Sequence, residues 1–241
     1  MKFLTTILFI TFFQVLSYGQ NTLKNYFPKY VSEVDLSVKT QNEIKRMNEI
    51  SDKKNRSANE KTEVDTLYEK YYEAETVWNI EPLGCSWYCG GGNYAIKSSS
   101  ALASTKNIKY DAESANDLSY ETAWVEGKSD EGIGEFLEYF FKNESPRITK
   151  IIISNGYMKS DTAWKNNNRV KKLKFSVNGK PFGILNLEDS KSDQTFDLGT
   201  FGHNKNGTDL VLKFEILEVY KGEKFNDTAI TEIYFDGIDV H

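Results

Sequence analysis

The side chains able to do chemistry are few and unevenly spread. Cys85 and Cys89 sit four residues apart in Cys85-Ser86-Trp87-Tyr88-Cys89, just ahead of Gly90-Gly91-Gly92. Histidine occurs twice, at His203 and at the final residue, His241. A Ser-His-Asp or Cys-His device therefore has almost no base to draw on. There is no P-loop, dinucleotide glycine fingerprint, G-x-S-x-G elbow or H-E-x-x-H pair. Glu126, Asp130, Glu131 and Glu135 are close in sequence. Acids at that density read as a solvated loop more readily than as a glycosidase pair, which needs two carboxyls at a set separation. The expectation is a non-catalytic protein, and Glu126 and Glu135 are the acids on which an enzymatic alternative would rest.

Aromatic rings beside amides and cations form a stronger pattern. A sugar presents an apolar C–H face and a rim of hydroxyls, so its site needs a ring to stack on and polar groups beside it. Asn155-Gly156-Tyr157 and Trp164-Lys165-Asn166-Asn167-Asn168-Arg169 supply both within one span. Tyr157, Trp164, Asn168 and Arg169 are the first candidates for carbohydrate binding, and Trp87 and Tyr88 the second. The structural alternative is that Trp164 packs on the body and Arg169 makes an ion pair. Asn116-Asp117 in a turn, with Glu232 ahead of the last strand, offers oxygen ligands suited to a hard cation such as calcium.

The elements that must position these residues follow from texture. Lys2 and the apolar stretch Phe3–Val15, with small Ser17 and Gly19 behind it, read as a signal peptide over residues 1–19, cleaved near Gly19-Gln20. This places the protein in the periplasm or outside the cell, with no membrane span in the mature chain. In an oxidising compartment the default for Cys85 and Cys89 is a disulfide, with a pair of thiols as the alternative. Residues 20–82 are expected to be a mostly helical or partly mobile lead segment. Val34, Val38, Ile44, Met47 and Ile50 make one sparse stripe, and Val64, Leu67, Tyr68, Tyr71 and Tyr72 another. The run 51–62 (SDKKNRSANEKT) reads as a linker or helix end.

Residues 83–241 change character. Strands are expected at Phe136–Phe141, Ile148–Ser154, Lys172–Val177, Phe182–Leu187, Leu210–Val219 and Thr228–Phe235. Asn155-Gly156, Asn178-Gly179, Asn206-Gly207 and Asp236-Gly237 are the turn signals. Short antiparallel strands without intervening helical periods indicate an all-β sandwich. In 241 residues, 14% are aromatic, enough to build a core, and the net charge of −5 argues against nucleic acid as a partner.

The motifs taken together resemble a known family. Ser99-Ser100-Ala101-Leu102, Tyr110, Asn116-Asp117, Thr122-Ala123-Trp124-Val125-Glu126-Gly127 and Gly132-Ile133-Gly134-Glu135 are similar to the galactose-binding-like jelly roll of discoidin (F5/8 type C) modules. Asn155-Gly156-Tyr157-Met158-Lys159-Ser160, Asn167-Asn168-Arg169-Val170-Lys171, Val219-Tyr220-Lys221-Gly222 and Asp227-Thr228-Ala229-Ile230-Thr231-Glu232-Ile233 resemble one subgroup, the NADase-type glycan-binding domain. The resemblance spans roughly residues 83–238. It implies a jelly-roll β-sandwich that recognises glycans, and it implies a structural calcium held by Asp117, Thr122 and Glu232. Leu118-Ser119 stands where discoidin relatives commonly carry Gly-Asp. The NADase catalytic domain is absent, so that activity does not carry over. The expected partner is a glycan or cell-envelope carbohydrate. The alternative is a structural or protein-interaction module using the same loops.

Overall fold

The computed structural model describes residues 22–72, 74–80 and 87–240. The expected signal peptide and the Cys85 half of the expected disulfide lie outside the described residues.

The lead segment is only partly helical. It opens with two short strands, β1 (Asn25–Tyr26) and β2 (Tyr30–Glu33). Helix α1 (Val38–Ser51) follows, buries Ile44, Met47 and Ile50, and is capped by the Ser37 side chain. Helix α2 (Ala58–Tyr71) starts within the run that reads as a linker. A capping box drives it: the Ser57 hydroxyl accepts from the Glu60 amide while the Glu60 carboxylate accepts from the Ser57 amide. The two helices form a hairpin around Ile44, Met47, Ile50 and Val64, with Leu67, Tyr71 and Val77 packed on it.

The rest is sheet. In chain order come β3 (Ala95–Ser98), β4 (Trp124–Val125), β5 (Phe136–Phe141), β6 (Ile148–Asn155), the short helix α3 (Asp161–Asn166), β7 (Asn168–Val177), β8 (Lys180–Asn186), β9 (Ser192–Phe201), β10 (Leu210–Tyr220) and β11 (Thr228–Gly237). One layer runs β2-β9-β6-β11, with β4 on the start of β11. The other runs β1-β8-β7-β10-β5-β3. Two parallel residue pairs, Thr228 with Asn168 and Ala229 with Arg169, join the layers into one folded-over sheet. The fold is thus the expected all-β jelly-roll sandwich, closed at one corner.

Alternation builds each layer. In β10 every second residue from Leu210 to Ile216 is buried, and β5 repeats the pattern. The inward rings meet across the layers, with Phe235 of β11 lying 5.0 Å from Phe141 and 5.2 Å from Tyr139 of β5. Each such fully buried side chain contributes about 1.5–3 kcal/mol. Asn178-Gly179 forms the expected tight hairpin, with positive φ at both residues and Val177 opposite Lys180. Asp236-Gly237 is not a turn; it is an irregularity inside β11. Strand β9 has no counterpart in the sequence reading, because its first inward positions are Ser192 and Gln194. Gln194 is satisfied by exchanging two hydrogen bonds with the Glu188 backbone.

The strands of the lead segment cap both layers. β1 adds in parallel to β8, and β2 adds antiparallel to β9. Tyr26 stacks on Phe182 with ring centroids 5.7 Å apart. Backbone pairing joins these strands to the sandwich.

Candidate functional site

The 155–169 span lies where β6 ends and β11 and β7 begin. Most of its candidate binding residues are committed inward. Tyr157 is 7% exposed and meets Tyr110 edge-on at 6.3 Å; burial pushes its hydroxyl up to about 12. Asn168 is fully buried. Its Nδ2 donates to the Asn226 carbonyl at 2.5 Å, and its Oδ1 accepts from the Gly222 amide at 2.8 Å. Arg169 clasps Asp189 with two bonds of 2.7 and 3.0 Å, and its Nη1 donates to the Asn167 carbonyl. Its guanidinium carbon stands 4.5 Å from the centre of the Trp164 ring. Trp164 is half-buried and donates to the Asn155 carbonyl. Gly156 is a close-approach residue and not a turn: a Cβ there would lie 2.6 Å from Arg169 and 2.9 Å from Trp164.

Trp87 and Tyr88 do not join this group. Trp87 is 2% exposed and packs against Phe141 and Phe235, toward the other end of β11. The Tyr88 hydroxyl accepts from the Phe235 amide. A ring enclosed by the core offers no face to a sugar, so the expectation of a binding role for Trp87 is corrected here. Cys89 beside them is exposed.

Asp117, Thr122 and Glu232 do come together. Leu118 takes a left-handed conformation, with φ of 57°, and this turns its amide onto Glu232 Oε2 at 3.0 Å. The Thr122 hydroxyl lies 2.8 Å from both Asp117 oxygens. Glu232 is fully buried, and its Oε1 has no hydrogen-bond partner among the described residues. Burial drives its carboxyl far above the usual range and the Asp117 charge adds to the effect, against the Leu118, Ser119 and Asp117 backbone amides, which lower it; burial raises Asp117 as well. Two close carboxylates with an orphaned buried oxygen, next to an irregular turn, fit a hard cation with oxygen ligands. Among the described residues no group of three or more His, Cys, Asp or Glu side chains converges, so turn backbone would have to complete such a shell.

The acids of the enzymatic alternative are structural. Glu126 accepts from the Lys128 amide at 2.7 Å and the Thr228 amide at 3.2 Å. Glu135 accepts from the Ser99 and Ser100 hydroxyls.

The sequence reading misses a cleft of about 510 Å³ between the lead segment and the sandwich. Its wall includes Gln41 and Trp78 on one side and Lys159, Asp161 and Lys191 on the other. Trp78 packs into the apolar cluster of Leu36, Ile80, Tyr120 and Met158, which Leu118 and Trp164 also join. One cluster therefore ties the carboxylate turn, the Trp164–Arg169 stack and the lead segment together. The sequence signal for the cleft is Trp78, the one tryptophan within residues 20–82. A larger groove, about 890 Å³, runs along the helical hairpin, lined by the ion pairs Arg46–Glu63 and Lys70–Glu43 together with Asn42, Thr66 and Leu67.

The fold is a two-layer jelly roll with the Asp117–Glu232 acid pair at one end of β11. The sequence matches the family described as the NAD glycohydrolase translocation F5/8 type C domain over residues 87–236, and the chain belongs to that family. A search of curated proteins found no match. Similar solved structures include the CBM32-1 and CBM32-2 domains of Clostridium perfringens ZmpB, at 16% identity and TM-score 0.44, covering 84% of this chain and 51% of that one. The CBM32-3 domain from a family 31 glycoside hydrolase of Clostridium perfringens is 15% identical with TM-score 0.40, over 59% of this chain and 91% of that one. The arabinofuranosyltransferase AftD from Mycobacteria is 14% identical with TM-score 0.43, over 61% of this chain and 10% of that one. The chain thus spans about half or less of AftD and the ZmpB pair. Among the described residues no helix is long and apolar enough to cross a membrane.

Proposed function

We propose that the protein is an exported, non-catalytic carbohydrate-recognition module that holds glycan at the loop end of its sandwich. The observation that carries this reading is the shared apolar cluster, which sets Trp164, the Asp117–Glu232 turn and a ligand-sized cleft side by side. Family membership and the structural commitments of Glu126 and Glu135 support recognition over turnover. In this reading Tyr157, Asn168, Arg169 and Trp164 hold the loops in shape, and calcium bridges Asp117, Thr122 and Glu232 as a structural tie. The proposal includes a signal peptide ending near Gly19 and a Cys85–Cys89 disulfide. A glycan array probed with the whole mature protein, in calcium and again in chelator, tests it. Selective retention on a sugar class is expected. No retention on any glycan would end the reading.

A second reading, a protein-interaction module of the cell envelope, is favoured by one observation. All four residues of the edge strand β2 are exposed, and an unpaired edge is a template for a partner strand.

A further inference from the structure

We propose that the lead segment supplies one wall of the sugar site, so that the binding cleft is the junction between Trp78 and the Lys159–Asp161–Lys191 face, and that its ligand is an uncharged saccharide. This rests on the carbohydrate reading above and goes beyond it by naming the site and the ligand class.

The volume is suitable. About 510 Å³ lies within the range of small-ligand pockets and admits one or two hexose rings. The chemistry is that of sugar recognition. Trp78 is half-buried, anchored on one side in the apolar cluster while bordering the cleft on the other. Lys191 Nζ lies 2.8 Å from Asp161 Oδ1, giving a donor and an acceptor side by side, the pairing that neighbouring hydroxyls on a sugar rim require. The Asp161 side chain is 81% exposed, so its second oxygen is open to a ligand. The Lys191 amine holds the Asp161 carboxyl below its usual range, so it is a charged acceptor at neutral pH.

Charge settles the class. The wall carries Lys159 and Lys191 against Asp35 and Asp161. Lys159 faces a further acid, Glu121, at 3.6 Å. Asp35 is held ionised by hydrogen bonds from Thr40 and Ser37. Two cations balanced by two acids leave no surplus positive charge for a carboxylate or sulfate group. A neutral sugar loses nothing by entering; an acidic one meets Asp35 and Asp161 without a dedicated partner. Gln41 and Trp78 precede residue 87, so this wall lies outside the span that defines the family.

The test is calorimetry on the mature protein with a set of methyl glycosides of neutral and N-acetylated hexoses, and with methyl glucuronide and a sialoside as the acidic arm. The wild type is expected to bind a member of the neutral set. Trp78→Ala and Asp161→Asn should each weaken it about tenfold or more, with Trp78→Phe retaining most of the affinity. Asp161 is exposed, so its variant reports on the cleft even if Trp78→Ala disturbs the fold. Tyr94→Ala, on an exposed ring beside β5, should bind as the wild type does. Wild-type binding that survives both Trp78→Ala and Asp161→Asn would overturn the composite site while leaving the carbohydrate reading in place. Preference for the acidic arm would overturn the ligand class. Failure of every glycoside to bind would overturn both.

Discussion

Glu232 gives the sharpest test of the loop-end chemistry. Its Oε2 accepts from the Leu118 amide, its Oε1 is buried without a partner among the described residues, and Asp117 adds a second acid nearby. An unsatisfied buried acceptor costs about 1–3 kcal/mol, and more when charged. A bound calcium ion would remove that cost and let both acids ionise. At calcium about 100-fold above its dissociation constant, linkage adds about 2.7 kcal/mol to stability. For a body of this size that is a rise of about 5–10 °C in melting temperature. Glu232→Gln keeps the shape and an acceptor for the Leu118 amide but removes one charge of the pair. The expected result is a crossover. In chelator the variant melts at or above the wild type; in millimolar calcium the wild type rises and the variant does not. Differential scanning calorimetry under both conditions reads it. A wild-type melting temperature that is identical with calcium and with chelator would refute the cation argument, as would an equal rise in the variant.

Three other outcomes are expected. Trp164→Ala removes the surface on which Arg169 lies and the bond to the Asn155 carbonyl; it should cost about 2–3 kcal/mol in urea unfolding, and an unchanged midpoint would show that the stack contributes nothing. Asp193, on β9, has its carboxyl raised, chiefly by burial, against hydrogen bonds from Ser154, Tyr120 and Tyr234 that lower it. Its contribution is therefore full below the unfolded value of about 3.9 and is lost as pH rises through the folded value; the stability difference between wild type and Asp193→Asn should shrink in that direction, and a difference that stays flat across the acid range would contradict this. Ser57→Ala deletes half of the α2 capping box and should cost that helix about 1 kcal/mol, read as faster amide exchange in Ala58–Tyr71 with the sandwich amides unchanged.

The sandwich was legible where strands alternate between apolar and polar residues. Phe136–Phe141 is β5 to the residue, and Leu210–Val219 is β10 short of its last position. β9 was not, because Ser192 and Gln194 point inward with polar side chains, Ser192 paired with the Ser190 hydroxyl and Gln194 with the Glu188 backbone, and neither follows an apolar period. β1 and β2 were not, because two and four residues carry no period and take their structure from the edges they join. For the site, residue type identified the right loop but not the direction of each side chain. Asn168 and Arg169 look like ligand donors in sequence, yet the corner where β7 meets β11 needs donors for its own carbonyls and takes them. The Asp117–Glu232 pairing could be suggested from residue types and the resemblance, but with 114 residues separating Leu118 from Glu232 no local pattern fixes their approach.

The two ends of β11 differ in their polar chemistry. Its later half carries Ile233 and Phe235 into a core closed by Trp87, Tyr139 and Phe141, where the Tyr88 hydroxyl accepts from the Phe235 amide and the Trp87 indole N–H is enclosed without a partner among the described residues. Its first half carries Thr228, Thr231 and Glu232, all fully buried. Thr228 is taken by Glu126 and the Glu131 carbonyl, and Thr231 by the Gly156 carbonyl and the Met158 amide. Polar residues so placed cost desolvation, and their hydrogen bonds offset it by fixing irregular loops in one shape. Once those bonds are assigned, Glu232 Oε1 is left over in this half of the strand, and the Trp78–Asp161–Lys191 cleft is left open at the surface. A cation would complete the first and a sugar would fill the second. Because Leu118 and Trp78 share one apolar cluster, ordering the turn with calcium should also firm the wall that the lead segment contributes.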